Sequence, residues 1–127
     1  MRGEPKRIAS LFLKLTSAEL KTFPIRPRDL DVPDLQGVYV IYDLKGTVCH
    51  VGCSYRGSRG LFQRLRNHMQ TGSSFTNAKP KWHGTKLRGK YKFRYLPVED
   101  IRERLLLESF SIGSLCPEHI GSHQSKA

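Results

Sequence analysis

A chain of 127 residues has the length of one domain, since domains typically run to roughly 100–200 residues. Its 38% hydrophobic and 26% charged residues describe a globular composition, and 22 Lys and Arg against 11 Asp and Glu give a formal charge of +11, which makes a polyanion the first partner to expect. No apolar run approaches the roughly 18–20 residues of a membrane span. The start lacks a leader pattern and the three cysteines are an odd number, which argues against a secreted disulfide framework and for the cytoplasm or the nucleoid.

In chain order, Ile8, Leu11, Phe12 and Leu15 share one helical face, while Leu11, Leu13 and Leu15 also alternate as a strand would; the helix is the preferred reading. Thr16-Ser17-Ala18-Glu19 has the form of a capping box and predicts a short second helix through Lys21. Pro24, Pro27 and Pro33 mark a connector over 23–36. Gly37-Val38-Tyr39-Val40-Ile41-Tyr42-Asp43 is β-branched and aromatic, the turn Leu44-Lys45-Gly46 follows, and Thr47-Val48-Cys49-His50-Val51-Gly52 completes a β-hairpin. Over 60–70, Leu61, Phe62, Leu65 and Met69 form the apolar arc of a helix that Gly72 closes.

The stretch 71–90 interleaves Phe75 and Trp82 with Lys, Gly and Ser without a period, and predicts a long, mobile, basic loop. From Lys90 to Leu96, basic and apolar residues alternate with period two, a half-buried strand with Lys90, Lys92 and Arg94 on its outer face and Pro97 at its end. A helix over 98–115 has Glu99 and Asp100 in its first turn and is stopped by Pro117. The plan is one domain: an N-terminal helical extension and connector over 1–36, a core over 37–117 and a flexible tail over 118–127.

The charge is uneven along this plan. From Leu44 to Val98, 55 residues hold no Asp or Glu but 12 of the 22 basic side chains, which predicts one strongly positive, phosphate-binding face. Within and beside that window lie the residues suited to chemistry. In the last helix Ile101, Leu105, Ile112 and Leu115 make an apolar stripe, and Glu108 stands where the stripe asks for an apolar residue. A carboxylate there either needs an arginine, hydrogen bonds or a metal ion, or it snorkels to solvent. Arg64 and His68, four apart, lie one above the other at the margin of the earlier apolar arc, where an arginine can present its donor fork to a phosphate and where amphipathic packing is the plainer reading. Tyr39 and His50, on the two hairpin strands, can each serve as a base or position a water. Cys49 and Cys53 lack a second ligand pair for zinc and read as buried thiols. In the basic stretch, Phe75 and Trp82 either stack on bases between lysines or pin the chain to the core.

Taken together, Gly37-Val38-Tyr39, then His50-Val51-Gly52, then Ser54, then Arg64 with His68 four later, then Glu108 nine before Pro117, resembles the GIY-YIG nuclease superfamily over residues 37–117. The resemblance implies an α/β domain of α+β type, with a small three-stranded antiparallel sheet flanked by helices, that cuts DNA with a single Mg²⁺ or Mn²⁺. It implies Tyr39 near the attacking water, Arg64 on the scissile phosphate, Glu108 on the metal and His68 in support. His50 stands in place of the second motif's tyrosine, Tyr55 to Gly60 are extra, and Ile120 occupies the place of an asparagine found in many members, a role open to His119 or His123. Gly52, Ser54, Arg56, Arg59, Arg66, Lys79, Lys81, Trp82, Lys86, Arg88, Lys90 and Lys92 are the expected nucleic-acid contacts. The partner expected is duplex or branched DNA, with a targeting protein as a further partner and repair or recombination as the setting. The alternative is a binding module of the same fold with weakened chemistry.

Overall fold

The computed structural model describes residues 3–55 and 59–120. Helix α1 spans Gly3–Thr16 and buries Ile8, Leu11 and Leu15, the helical face expected from their spacing. The expected second helix does not form. Thr16 Oγ1 donates to the Phe12 carbonyl one turn back at 3.0 Å, so the hydroxyl that would cap a new helix is spent on the old one, and the chain enters a short strand β1, Lys21–Thr22.

Strands β2 (Gly37–Tyr42) and β3 (Val48–Cys53) form the hairpin, and β4 (Lys92–Pro97) pairs with the other side of β2. All pairs are antiparallel and the order is β1-β4-β2-β3. The sheet thus has four strands rather than three. The added one is two residues long, and its pairing of Lys21 with Phe93 and Thr22 with Lys92 is too brief to leave an alternation in the sequence. Residue alternation sends Val38 and Val40 to one face and Tyr39 and Ile41 to the other. The register shifts between Ile41 and Tyr42, leaving Cys49 without a partner across the hairpin. Cys49 is buried on the Tyr39 side.

The Val38 face packs against α1 and against α5 (Ile101–Leu115) through Val51, Cys53 and Leu107. The Tyr39 face is covered by α2 (Gly60–Met69) and by the segment expected to be a loop. That segment folds as α3 (Ser74–Ala78), a 3₁₀ turn at Pro80–Trp82 and α4 (Gly84–Leu87). Ser73 opens α3 with a capping box shared with Thr76, and Phe75, Trp82 and Leu87 are buried. Elements of four or five residues are shorter than the window over which a helical period can be read.

The last helix also differs from expectation, in phase. Its buried residues are Arg104, Leu107 and Ser111, while Ile101 and Leu105 are 49% and 41% exposed. Because α5 faces α1 as well as β3, with Phe12 and Phe110 in edge contact at 5.1 Å, its apolar residues are shared between two neighbours and do not mark one core stripe. After Pro117 the chain returns to the hairpin: the backbone N–H groups of Glu118 and His119 donate to the Val48 and Cys49 carbonyls. The first residues of the expected flexible tail are therefore tied to β3, and the rest of it lies outside the described residues.

Candidate active site

A cleft of about 420 Å³ opens at the edge of β3 between α2 and α5. His50 and Gly52 line it from β3, Arg64 and His68 from α2, Ser73 from the cap of α3, and Glu108 from α5. Elements up to about 60 residues apart in sequence therefore converge, and four of the five residues expected to carry chemistry border one space.

The fifth, Tyr39, stands behind that wall. It is wholly buried and paired in register with Gly52. A Cβ on Gly52 would collide with the Tyr39 hydroxyl and ring, so glycine here makes room for the phenol to cross β3. The hydroxyl meets His68 Nε2 at 2.7 Å, with the positive charge of Arg64 nearby. Burial raises the Tyr39 pKa against the opposing pull of Arg64, and it lowers that of His68 well below the ordinary histidine value, with nearby His50 and Arg64 adding to the effect. Both side chains are neutral at neutral pH.

The hydrogen-bond directions follow. Thr76 Oγ1 donates to the Ser73 carbonyl, so the Ser73 hydroxyl donates to Thr76 Oγ1 and accepts from His68 Nδ1, which leaves His68 Nε2 to accept from Tyr39. The imidazole proton then sits on Nδ1, facing Ser73 Oγ at 2.7 Å. Ser73 in turn meets Thr76 Oγ1 at 2.9 Å. A single directed chain runs Tyr39–His68–Ser73–Thr76. His68 was expected at the margin of α2, half sheltered; it is fully buried because α3 closes over it.

His50 takes no part in that chain. Its ring stacks on Phe75 at 4.6 Å and 11°, its Nδ1 lies 3.1 Å from His119 Nδ1, and burial, with His119 and Arg64 close by, pushes its pKa down to about 3. Two imidazoles sharing one proton stay uncharged. Of the two histidines considered for the missing asparagine, His119 lies within this cluster, and His123 is outside the described residues.

Glu108 is half-buried. Burial raises its pKa, while the Cys53 thiol, Arg64 and the Cys53 backbone act to lower it. Tyr55, which the sequence reading left unassigned, stands 52% exposed at the cleft, and Glu108 is the first cause of its raised pKa. The residues present suit a hard divalent cation: one carboxylate with space for water beside it fits an ion that keeps most of its hydration. Arg64 is partly exposed and borders the same cleft, so its guanidinium brings a positive charge to the anion that the cleft would hold. Asp43, Cys49 and Glu118 also approach one another, but Asp43 Oδ1 is used by the amides of Lys45 and Thr47 and Glu118 by Lys81.

The expected nucleic-acid contacts scatter. Ser54 is buried and clamps the strand ends, its Oγ accepting from the Gly37 amide at 2.9 Å, so it is not a surface contact. Trp82 is 1% exposed and holds the α3–α4 segment to the core, so its ring offers no stacking surface. Arg59 pairs with Asp34 and lies over Phe62 at 4.1 Å, with Arg66 beside the same ring. Arg88 donates to the Met69 carbonyl and Lys81 pairs with Glu118, while Lys79 and Lys86 are exposed. Lys90 and Lys92 lie in a different groove, and Arg56 falls outside the described residues. The acid-free window therefore does not make one positive face.

Ser73 and Thr76 are not recoverable as site residues from the sequence, because they fall in the aperiodic stretch 71–90 that reads as a loop. Their link to His68 exists only once α3 packs on α2.

No protein-family model matches the chain, and no curated protein matches it. Among solved structures, the magnesium-bound GIY-YIG N-terminal endonuclease domain of UvrC from Thermotoga maritima is 23% identical, with a TM-score of 0.51 over 74% of this chain and 92% of that one. A point mutant of the same domain bound to its catalytic divalent cation gives the same identity and TM-score over 91% of its length. Three-dimensional likeness over three quarters of the described architecture shows that this chain has the fold of the GIY-YIG endonuclease domains.

Proposed function

We propose that the protein is a divalent-metal-dependent endonuclease that hydrolyses phosphodiester bonds in DNA. The observation that carries this reading is the convergence of Arg64, His68 and Glu108 from two helices on one cleft, with Tyr39 hydrogen-bonded behind them. The likeness in fold to domains that hold a catalytic divalent cation supports it.

Glu108 would hold Mg²⁺ or Mn²⁺ at the α5 side of the cleft, and the bound ion would supply charge stabilisation at a phosphate oxygen. The chain's own residues do the rest. Arg64 borders the cleft and would place its guanidinium charge on the scissile phosphate, where negative charge builds during attack. Tyr39 is too deeply buried to rest as phenolate, so it keeps its proton in the hydrogen bond to His68 Nε2 and acts by holding the site's geometry. Ser73 Oγ holds the His68 tautomer that keeps Nε2 unprotonated. Tyr55 and Glu108, both at the rim, orient water by hydrogen bonding. The His50–His119 pair adds no charge and acts as a rigid wall.

Nicking of supercoiled plasmid with Mg²⁺ or Mn²⁺ tests the reading. Cutting is expected from the wild type and is expected to be lost in Glu108→Ala and Arg64→Ala. Salt-sensitive binding with no cutting of duplex, branched or flapped DNA would establish instead a binding module of the same fold, the role that the exchange of a tyrosine for the inert His50 favours.

A further inference from the structure

A second groove, of about 430 Å³, lies between the hairpin tip and β4 and shares no lining residue with the cleft. It contains Tyr42, Lys45, Lys90, Lys92 and Arg94. Register places it on the Val38 face, with Arg94 opposite Val40 and Lys92 opposite Tyr42, whereas the cleft opens beyond β3 between α2 and α5. Helix α1 ends before it can cover this end of the sheet.

The charges in the groove are organised. Arg94 donates through Nε to the Ala18 carbonyl at 2.8 Å and through Nη1 to the Tyr42 hydroxyl at 2.9 Å, with its guanidinium 5.3 Å from the Tyr42 ring centroid. Lys45, Lys90 and Lys92 are exposed and form no ion pair among the described residues. The acid lining the groove, Asp43, has Oδ1 turned to the hairpin amides. Three free ammonium groups around a braced arginine and a half-buried aromatic ring match a sugar-phosphate backbone, whose charges recur at intervals, better than one small anion, which would require converging donors.

We propose that this groove is a second nucleic-acid site, holding the backbone of a duplex arm distinct from the strand in the cleft. The proposal rests on the nuclease reading only in taking the cleft as the other contact. Because the groove lies on the Val38 face at β4 while the cleft opens beyond the edge of β3, with β2 and β3 between them, one substrate reaches both only if it passes around the edge of the sheet, as a bent or branched one does. The unbroken run of basic residues is thereby divided into a chemical site and a holding site.

The test compares the wild type with the combined variant Lys45→Gln, Lys90→Gln, Lys92→Gln, exposed positions where glutamine preserves the fold, and with a Glu replacement of the same three. Binding is measured by anisotropy on a three-way junction and on a duplex of about 10 base pairs, too short to engage both sites, across a salt series. On the junction, the Gln variant is expected to lose affinity by about tenfold and its log–log salt slope to shrink by about 2–3, with a larger loss for Glu. On the short duplex, which retains the cleft, the change is expected to stay within about twofold. Equal losses on both ligands, or no loss on the junction, would overturn the proposal, as would loss of binding to phosphatidylserine vesicles with junction binding intact. The readout is binding, so a protein that never cuts leaves the groove testable while the nuclease reading fails separately in the plasmid assay.

Discussion

The two faces of the sheet are built on different principles. On the Val38 side two long helices lie against aliphatic residues, and Leu107, wholly buried, packs with Val51 and Cys53. On the Tyr39 side the cover is α2 and two helices of five and four residues, and the interior contains the imidazoles of His50, His68 and His119. One face stores stability in apolar contact; the other stores polar groups in a fixed arrangement. Removing an apolar side chain should therefore be felt in stability, and removing a polar one mostly in activity.

The largest expected effect is on chemistry. Arg64→Ala should lower cleavage by about 100- to 1000-fold, the range for loss of a charge-stabilising donor, with a melting temperature close to wild type. A melting temperature that falls as far as activity would erase the contrast between the faces. On the aliphatic side, Leu107→Ala should cost about 2–5 kcal/mol in denaturant unfolding while the surviving folded fraction cuts normally.

Acid should act most on the polar face. His50 and His68 have folded pKa values below those of the unfolded chain, so below about pH 6.5 the unfolded state takes up protons that the native state refuses. Stability is then present above that pH and falls as pH drops toward 3. The slope should approach about 3 kcal/mol per pH unit for the two residues together. Denaturant titration at stepped pH measures it, and a His68→Gln variant should show a shallower slope. A smaller effect isolates Ser73. Ser73→Gly keeps most of the cap, losing only a few tenths of a kcal/mol, but removes the acceptor for His68 Nδ1. Cleavage should fall about tenfold with its pH profile shifted and KM unchanged; Ser73→Asp, which caps and accepts, should restore it. The smallest effect belongs to the surface pairs between α1 and α5, such as Arg102 with Glu4, whose removal should leave melting unchanged at high salt.

The sequence exposed the hairpin, α1 and α2 because each has a period sustained over several residues. Arg64 and His68 were readable from a four-residue spacing on one helix. Glu108 was found by an argument that the structure revises: Ile101 and Leu105 are exposed, so the stripe it was thought to interrupt is not the core face, yet Glu108 adjoins Leu107 and Ser111, which are buried. The α3–α4 segment was not readable, because two short helices held by Phe75 and Trp82 depend on tertiary burial and not on local pattern. The bond of Ser73 to His68 forms only when α3 packs on α2, and the nearness of Tyr55 to Glu108 joins two distant parts of the chain.

Gly52 is where an inner residue becomes an outer one. In the order β1-β4-β2-β3, Tyr39 belongs to a strand paired on both sides, among the stiffest places in the molecule, while the cleft lies beyond the free edge of β3. The missing side chain at Gly52 is an open doorway on the face of that strand, so a phenol anchored in the interior lies across β3 and brings its hydroxyl behind the cleft wall without a loop to carry it. Precision at the rim is thus borrowed from the centre of the sheet, and Gly52→Ala would close the doorway while leaving every charged group in place.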